Sequence, residues 1–326
     1  MKKIFLFAAA AMVSLSSCVQ TEDVYTGGVR EIGFKSAVVR DAIETTTFTG
    51  SMNVAAAWDA DGEATTKNYV EYFTPTKFTD KNKNNVWSGE PARYWPNVGK
   101  MQFLAHFPYN ETFVVAYGDK GAITGYTATV TGNKDAQNDV LYSNVHECNC
   151  APQAQQPLLF HHAMTLLQVN FATNLPNTTE AKNVVKIKEV TVYDVRFDGK
   201  LNVTGAANTK SSAEWSDHGD KTNYTFLNID PDYELGATVN PDKASTPLLI
   251  LPSKTDEKQT KMTVVFELNG HEMTKTVEFN AGDNGYGDWK MGYKYIYNFT
   301  ISANEILFDV EVDNWTVETI TPGITI

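Results

Sequence analysis

The residue with the plainest chemistry in this chain is Cys18. It closes the run Leu15-Ser16-Ser17-Cys18, which follows Lys2-Lys3 and an apolar stretch from Ile4 to Val13. A short basic region, an apolar core and small residues before a cut site make a secretory signal. A cysteine placed directly after Leu-Ser-Ser is the acceptor used in bacterial lipoprotein processing. Its thiol takes a diacyl group, and the chain is cut just before it. The sequence therefore predicts a signal peptide over residues 1–17 and a mature, lipid-tethered chain that starts at Cys18. The apolar stretch is shorter than a bilayer span, so the lipid and not a helix provides the anchor.

Other residue types capable of chemistry fall in the wrong patterns. His271-Glu272 opens like a zinc-protease motif, but Lys275 stands where the second histidine ligand is required. Asp59, Asp61 and Gly62 resemble a calcium loop, yet the glycine comes two positions early and Val70 replaces the closing glutamate. His146, Cys148, Cys150, His161 and His162 are close in sequence. Adjacent residues of a strand point to opposite faces, so His161 and His162 do not readily share an ion. A bridge between Cys148 and Cys150 would be strained across one intervening residue. There is no Gly-x-Ser-x-Gly and no phosphate loop. The expectation is a protein without catalytic residues, metal or cofactor.

Charge narrows the partners. The chain carries a net charge of -12; without Lys2 and Lys3 it has 25 basic against 39 acidic residues, or -14. An acidic surface with no basic cluster argues against nucleic acid. One aromatic group, Tyr286, Trp289, Tyr293, Tyr295 and Tyr297, offers a second function: exposed rings could stack on sugars, making a monomeric glycan-binding lipoprotein. Period-two spacing puts Tyr293, Tyr295 and Tyr297 on one strand face, an arrangement that also serves core packing.

The elements that position these residues are strands. Alternation marks Ile32, Phe34 and Val38; Met52, Val54, Ala56 and Trp58; and Met101, Phe103, Ala105 and Phe107 before Pro108. It returns at Leu167–Phe171, at Val185 and Ile187, and at Val190 and Val192. A hairpin joins Met262–Leu268 to Met273–Phe279 through Asn269-Gly270, a pair suited to the positive φ of a tight turn. Tyr293–Ile301 and Ile306–Val312 follow. Only Thr178 to Val185 has helical character. The fold class predicted is all-β, with antiparallel β-sandwiches. The loop Asn144 to Pro157, without alternation, marks the division into residues 41–157 and 158–326.

Four segments, in order, resemble the fimbrillins, subunits of type V pili in Bacteroidales. They are Glu31-Ile32-Gly33-Phe34 with Arg40 behind it; Tyr94-Trp95-Pro96 leading into Met101–Pro108; Asp139-Val140-Leu141-Tyr142 with Pro157–Met164; and Trp289–Tyr295 ahead of a strand pair ending at Trp315. The resemblance implies two transthyretin-like sandwich domains, display at the outer membrane and assembly by strand exchange. It implies cleavage by a trypsin-like surface protease after Arg40, with Arg30 as the alternative. Residues 18–40 would then be a lipid-anchored propeptide whose strand, carrying Ile32, Phe34 and Val38, is removed. A neighbouring subunit's strand would replace it, and Val317, Ile320, Ile324 and Ile326 of the tail 316–326 would serve as such a donor. The implied partners are other fimbrillin subunits, the protease and a host or bacterial surface receptor. The implied role is a stalk or tip pilin in adhesion, with a pilus anchor as the alternative.

Overall fold

The computed structural model describes residues 30–38, 50–62, 67–82, 86–132, 137–150, 155–253, 259–280, 288–302 and 306–314. Cys18, Arg40 and the tail residues Val317, Ile320, Ile324 and Ile326 lie outside them. The described residues form twenty strands and two short 3₁₀ turns. The first ten strands are β1 (Gly33–Val38), β2 (Ser51–Asp59), β3 (Val70–Thr79), β4 (Val86–Glu90), β5 (Lys100–Phe107), β6 (Val114–Tyr117), β7 (Ile123–Val130), β8 (Leu141–Ser143), β9 (His146–Asn149) and β10 (Gln156–His162). The others are β11 (Thr165–Thr173), β12 (Val185–Val195), β13 (Gly199–Thr204), β14 (Ser212–Ser216), β15 (Thr222–Thr225), β16 (Leu248–Ile250), β17 (Gln259–Leu268), β18 (His271–Asn280), β19 (Tyr293–Ile301) and β20 (Ile306–Asn314). The all-β class expected from alternation is what the chain adopts.

The first sheet closes on itself. Its order is β2-β3-β4-β1-β10-β8-β5, and β5 pairs back onto β2, making a ring of seven strands with β9 added beside β5. Closure leaves an inner and an outer face on each strand. Met52, Val54 and Ala56 alternate inward on β2, as do Met101, Phe103 and Ala105 on β5, joined by Ile32, Phe34, Phe78, Trp87, Leu158 and Phe160. The intervening Ala55, Ala57 and Leu104 face outward into a second core. That core lies against a four-stranded sheet in the order β14-β13-β7-β6, through Tyr126, Ala128, Leu201 and Val203.

The remaining strands make a four-on-four sandwich. One sheet has the order β16-β11-β19-β20 and the other β15-β12-β17-β18. Val185, Ile187, Val190 and Val192 all reach the core between them. A register shift between Ile187 and Glu189 explains the change of parity: the bulge turns both alternating runs inward on one strand. The hairpin between β17 and β18 forms as its turn residues predict, with Asn269 at φ 51° and Gly270 at φ 83°.

Three sequence expectations need correction. Residues Thr178–Val185 form no helix: Asn177 and Lys182 bridge across a turn in which Thr178 N donates to Ala181 O, and Val185 begins β12. The pairing is not wholly antiparallel, since β1 runs parallel to β10 and β11 parallel to β19. The expected division at 157/158 is crossed by backbone pairing. It cuts through β10, and β13 pairs with β7 from Gly199–Val130 to Thr204–Gly125. The Gln- and Asn-rich loop composition reports solvent contact, which a loop within one unit shares with a linker. Part of that loop is itself strand β9.

Candidate functional site: the first strand and its seat

Strand β1 lies inside the ring with a neighbour on each side. Residues Phe34–Val38 pair in parallel with Gln156–Phe160, and Gly33–Lys35 pair antiparallel with Val86–Ser88. The ladder continues before the strand: Ile32 N donates to Arg93 O at 2.6 Å and Trp95 N donates to Arg30 O at 2.9 Å, around the bridge Glu31–Tyr94. Ile32 and Phe34 are fully buried. The Phe34 ring meets Phe78 edge-on at 5.2 Å and Phe103 at 5.0 Å. Burial of two such side chains contributes about 1.5–3 kcal/mol each. Val38 sits opposite Phe160 in the parallel register.

The seat is built from segments far apart in sequence. Glu31–Phe34 is flanked by Tyr94-Trp95, and Phe34–Val38 by Gln156–Phe160; β10 in turn pairs with β8 through Phe160–Ser143 and His162–Leu141. These are the segments whose order along the chain stood out in the sequence. Sequence reasoning missed the strand on the other side, β4, whose Trp87 is fully buried opposite Phe34. Arg30, the alternative cleavage point, is half-buried, with its carbonyl in the ladder and its Nη2 3.5 Å from Cys150 O.

The histidines and cysteines serve the frame. His161 Nε2 meets Asn144 Oδ1 at 3.0 Å, His146 Nε2 meets Gln156 Oε1 at 3.0 Å, and His162 Nδ1 pairs with the Asp139 carboxylate. Burial holds the His161 imidazole below its ordinary value and pushes the Cys148 thiol up to about 12 and the Cys150 thiol up to about 11. Such thiols stay protonated and are poor nucleophiles and poor ligands. Among the described residues no three His, Cys, Asp or Glu side chains gather around a common point.

Three of the aromatic residues near the end of the chain are interior. Trp289, Tyr295 and Tyr297 are buried, Trp289 Nε1 donates to Tyr297 OH at 2.7 Å, and Tyr295 OH donates to Asp288 O at 2.8 Å. Tyr286 lies outside the described residues. Trp289, Tyr295 and Tyr297 therefore pack the sandwich, and Tyr293 is partly buried against it.

The family model described as fimbrillin-like matches residues 42–315. The chain belongs to the fimbrillin-like family. No curated protein matches it. Solved structures share its fold at low identity. A candidate cell adhesion protein from Bacteroides uniformis is 16% identical, with a TM-score of 0.54 over 88% of this chain and 99% of that one. A fimbrial protein from Bacteroides vulgatus is 16% identical, with a TM-score of 0.53 over 88% and 100%. A candidate cell adhesion protein from Bacteroides ovatus is 18% identical, with a TM-score of 0.52 over 89% and 99%. Strand β1 of this fimbrillin-like chain lies just ahead of the span that the family model matches.

Proposed function

We propose that this fimbrillin-like protein is a non-enzymatic stalk or tip subunit of an adhesive surface pilus, assembled by strand exchange. It reaches the outer membrane as a lipoprotein acylated at Cys18. Cleavage after Arg40 by a trypsin-like protease separates β1 from the rest of the chain. A strand from another subunit then takes the place of β1, and the tail carrying Val317, Ile320, Ile324 and Ile326 does the same for the next subunit.

One observation carries this reading: β1 is a short strand seated between β4 and β10 in the ring. Its loss would leave β4 and β10 with facing rows of unpaired N–H and C=O groups and an apolar slot between them. Such an edge is a template for another strand. An incoming strand that buries two to four apolar side chains gains roughly 3–12 kcal/mol before ordering costs, with ladder hydrogen bonds in addition. Family membership and the fold shared with a fimbrial protein agree with this reading. The glycan-binding alternative loses support because Trp289, Tyr295 and Tyr297 are core residues.

The test is the first residue of surface-purified protein, with its behaviour on an unboiled gel. Asp41 at the N-terminus together with a ladder of oligomers is the expected result. Normal ladders from a chain carrying Arg40→Gln and Arg30→Gln, with β1 retained, would overturn the proposal. An intact acylated Cys18 without ladders would assign the chain to the anchor or monomer role.

A further inference from the structure

Trp58, Val70, Tyr72, Tyr94 and Val98 gather at one end of the ring. Val70 stands opposite Trp58 in the β2–β3 register, and the Trp58 ring meets Tyr72 edge-on at 6.1 Å. Trp58 Nε1 donates to Val98 O at 2.8 Å, and Tyr72 OH donates to Tyr94 O at 2.8 Å. Those bonds satisfy the polar atoms of both rings within the protein. Val70, Tyr94 and Val98 are 54%, 44% and 62% exposed, while Trp58 and Tyr72 are partly buried. Three of the seven large apolar side chains exposed among the described residues thus fall in one patch, and a patch of this kind marks a surface that is covered in use.

The same end is where the chain enters the ring. Strand β1 runs parallel to β10, and β10 leads through Ala163-Met164 into β11 of the sandwich, so the start of β1 lies at the end away from the sandwich. Glu31 bridges to Tyr94 there. Arg30 Nη2 is 3.5 Å from Cys150 O, and Cys150 N donates to Gly99 O, next to Val98. Arg30 stands twelve residues after Cys18. Fully extended, such a length reaches about 40 Å, so an acyl group on Cys18 keeps this end of the molecule within reach of lipid.

We infer that the patch is a membrane-contact face: while the chain is uncut, Trp58, Val70, Tyr72, Tyr94 and Val98 rest in the headgroup zone of the leaflet that holds the Cys18 lipid. The inference rests on the lipid-anchoring part of the reading given above. Tryptophan and tyrosine rings concentrate at that depth in membrane proteins, because an apolar ring body with a polar edge suits the boundary. Charges of both signs flank the patch, Arg30 and Lys100 with Glu31 and Asp61. Burial of apolar surface, and not net charge, therefore makes the contact. A patch this small holds weakly alone, and the tether keeps it at high local concentration near the leaflet. The posture sets the Val38 end of β1, after which Arg40 follows in sequence, away from the lipid and toward a soluble protease. Cleavage there parts the patch from its tether, and the contact is lost.

The test uses the full chain with its acyl group, confirmed by the mass of the N-terminal peptide, on phosphatidylcholine vesicles that carry a headgroup quencher. A fluorophore sits at Val98→Cys or, on the sandwich, at Leu227→Cys, with labelled wild-type protein as the blank for Cys148 and Cys150. Quenching about fivefold stronger at Val98 than at Leu227 is expected, and it persists at about 1 M salt, where charge is screened. Val70→Ser with Tyr94→Ser, both at exposed side chains, is expected to remove most of that difference and to leave the urea midpoint in place. Equal quenching at the two sites, a difference that vanishes in salt, or a difference untouched by the serine pair overturns the contact face and leaves the lipid anchor standing. A photo-crosslinker at Val98 that captures residues 19–29 or a second copy in place of lipid overturns it too, by giving the patch another occupant. Absence of the acyl group from Cys18 overturns the anchoring reading and the contact face together.

Discussion

Strands β1 and β19 have the same kind of neighbours and very different holds on the protein. Each lies between one parallel and one antiparallel partner. Strand β19 pairs with β11 from Leu166–Lys294 to Thr173–Ile301 and with β20 along its whole length. It buries Tyr295, Tyr297, Phe299 and Ile301, and hydrogen bonds at Trp289 and Asp288 pin two of its hydroxyls. Strand β1 and the residue before it offer the ring Phe34 and Ile32 as fully buried anchors, with a glycine between them. Among the described side chains, β19 carries four buried anchors, while Phe34 of β1 and the preceding Ile32 make two. The sandwich is built around β19, whereas the ring is closed by β1.

The strongest way to break this comparison is to cut the chain between Val38 and Asp41 and follow amide exchange. On the proposed function, β4 and β10 lose protection by orders of magnitude when β1 departs, while β11 and β19 keep theirs. Equal loss in both regions would show that the sandwich depends on the first strand. Next in size, Phe299→Ala should cost about 3–5 kcal/mol, read as a lower urea midpoint for the whole chain. This ring stacks on Phe171 at 5.5 Å and on Tyr297 at 6.2 Å.

Smaller effects sharpen the contrast. Gly270→Ala forces a side chain to φ 83° at an open turn. The expected cost is about 1–2 kcal/mol, measured by denaturation and confined to the β17–β18 hairpin. The smallest effect is one of pH. His106 is fully buried on the outside of the ring and shares a 2.9 Å hydrogen bond with Tyr126 OH; burial lowers its imidazole from 6.5 to about 3. The unfolded chain then binds a proton that the folded chain refuses. This contribution is complete above pH 6.5 and is lost as pH falls toward 3. His106→Gln should flatten the corresponding part of a melting-temperature profile between those values. An unchanged profile would move the acid sensitivity to the carboxylates.

Much of the fold was legible because period-two alternation survives wherever one strand face is buried. Met52–Ala56, Met101–Phe107 and Leu167–Phe171 read correctly, and so did the Asn269-Gly270 turn. The bulge in β12 was visible only as a break of parity between Ile187 and Val190. The candidate site was half legible. Ile32 and Phe34 stood out as alternating apolar residues, but nothing local announced Trp87 as the residue opposite Phe34. The Asn144–Pro157 stretch misled because polar composition reports solvent contact, and strand β9 lies within it.

What the amino-acid order decided alone was local: which residues extend, which face turns inward, where turns fall, and the all-β class that follows. Those features depend on backbone preference and on neighbours within a few positions. Closure of β5 onto β2, the seating of β1 between β4 and β10, and the union of β13 with β7 were decided only by the folded whole. Each joins residues tens of positions apart, and the partner a strand edge finds is set by competition among all the edges the chain presents.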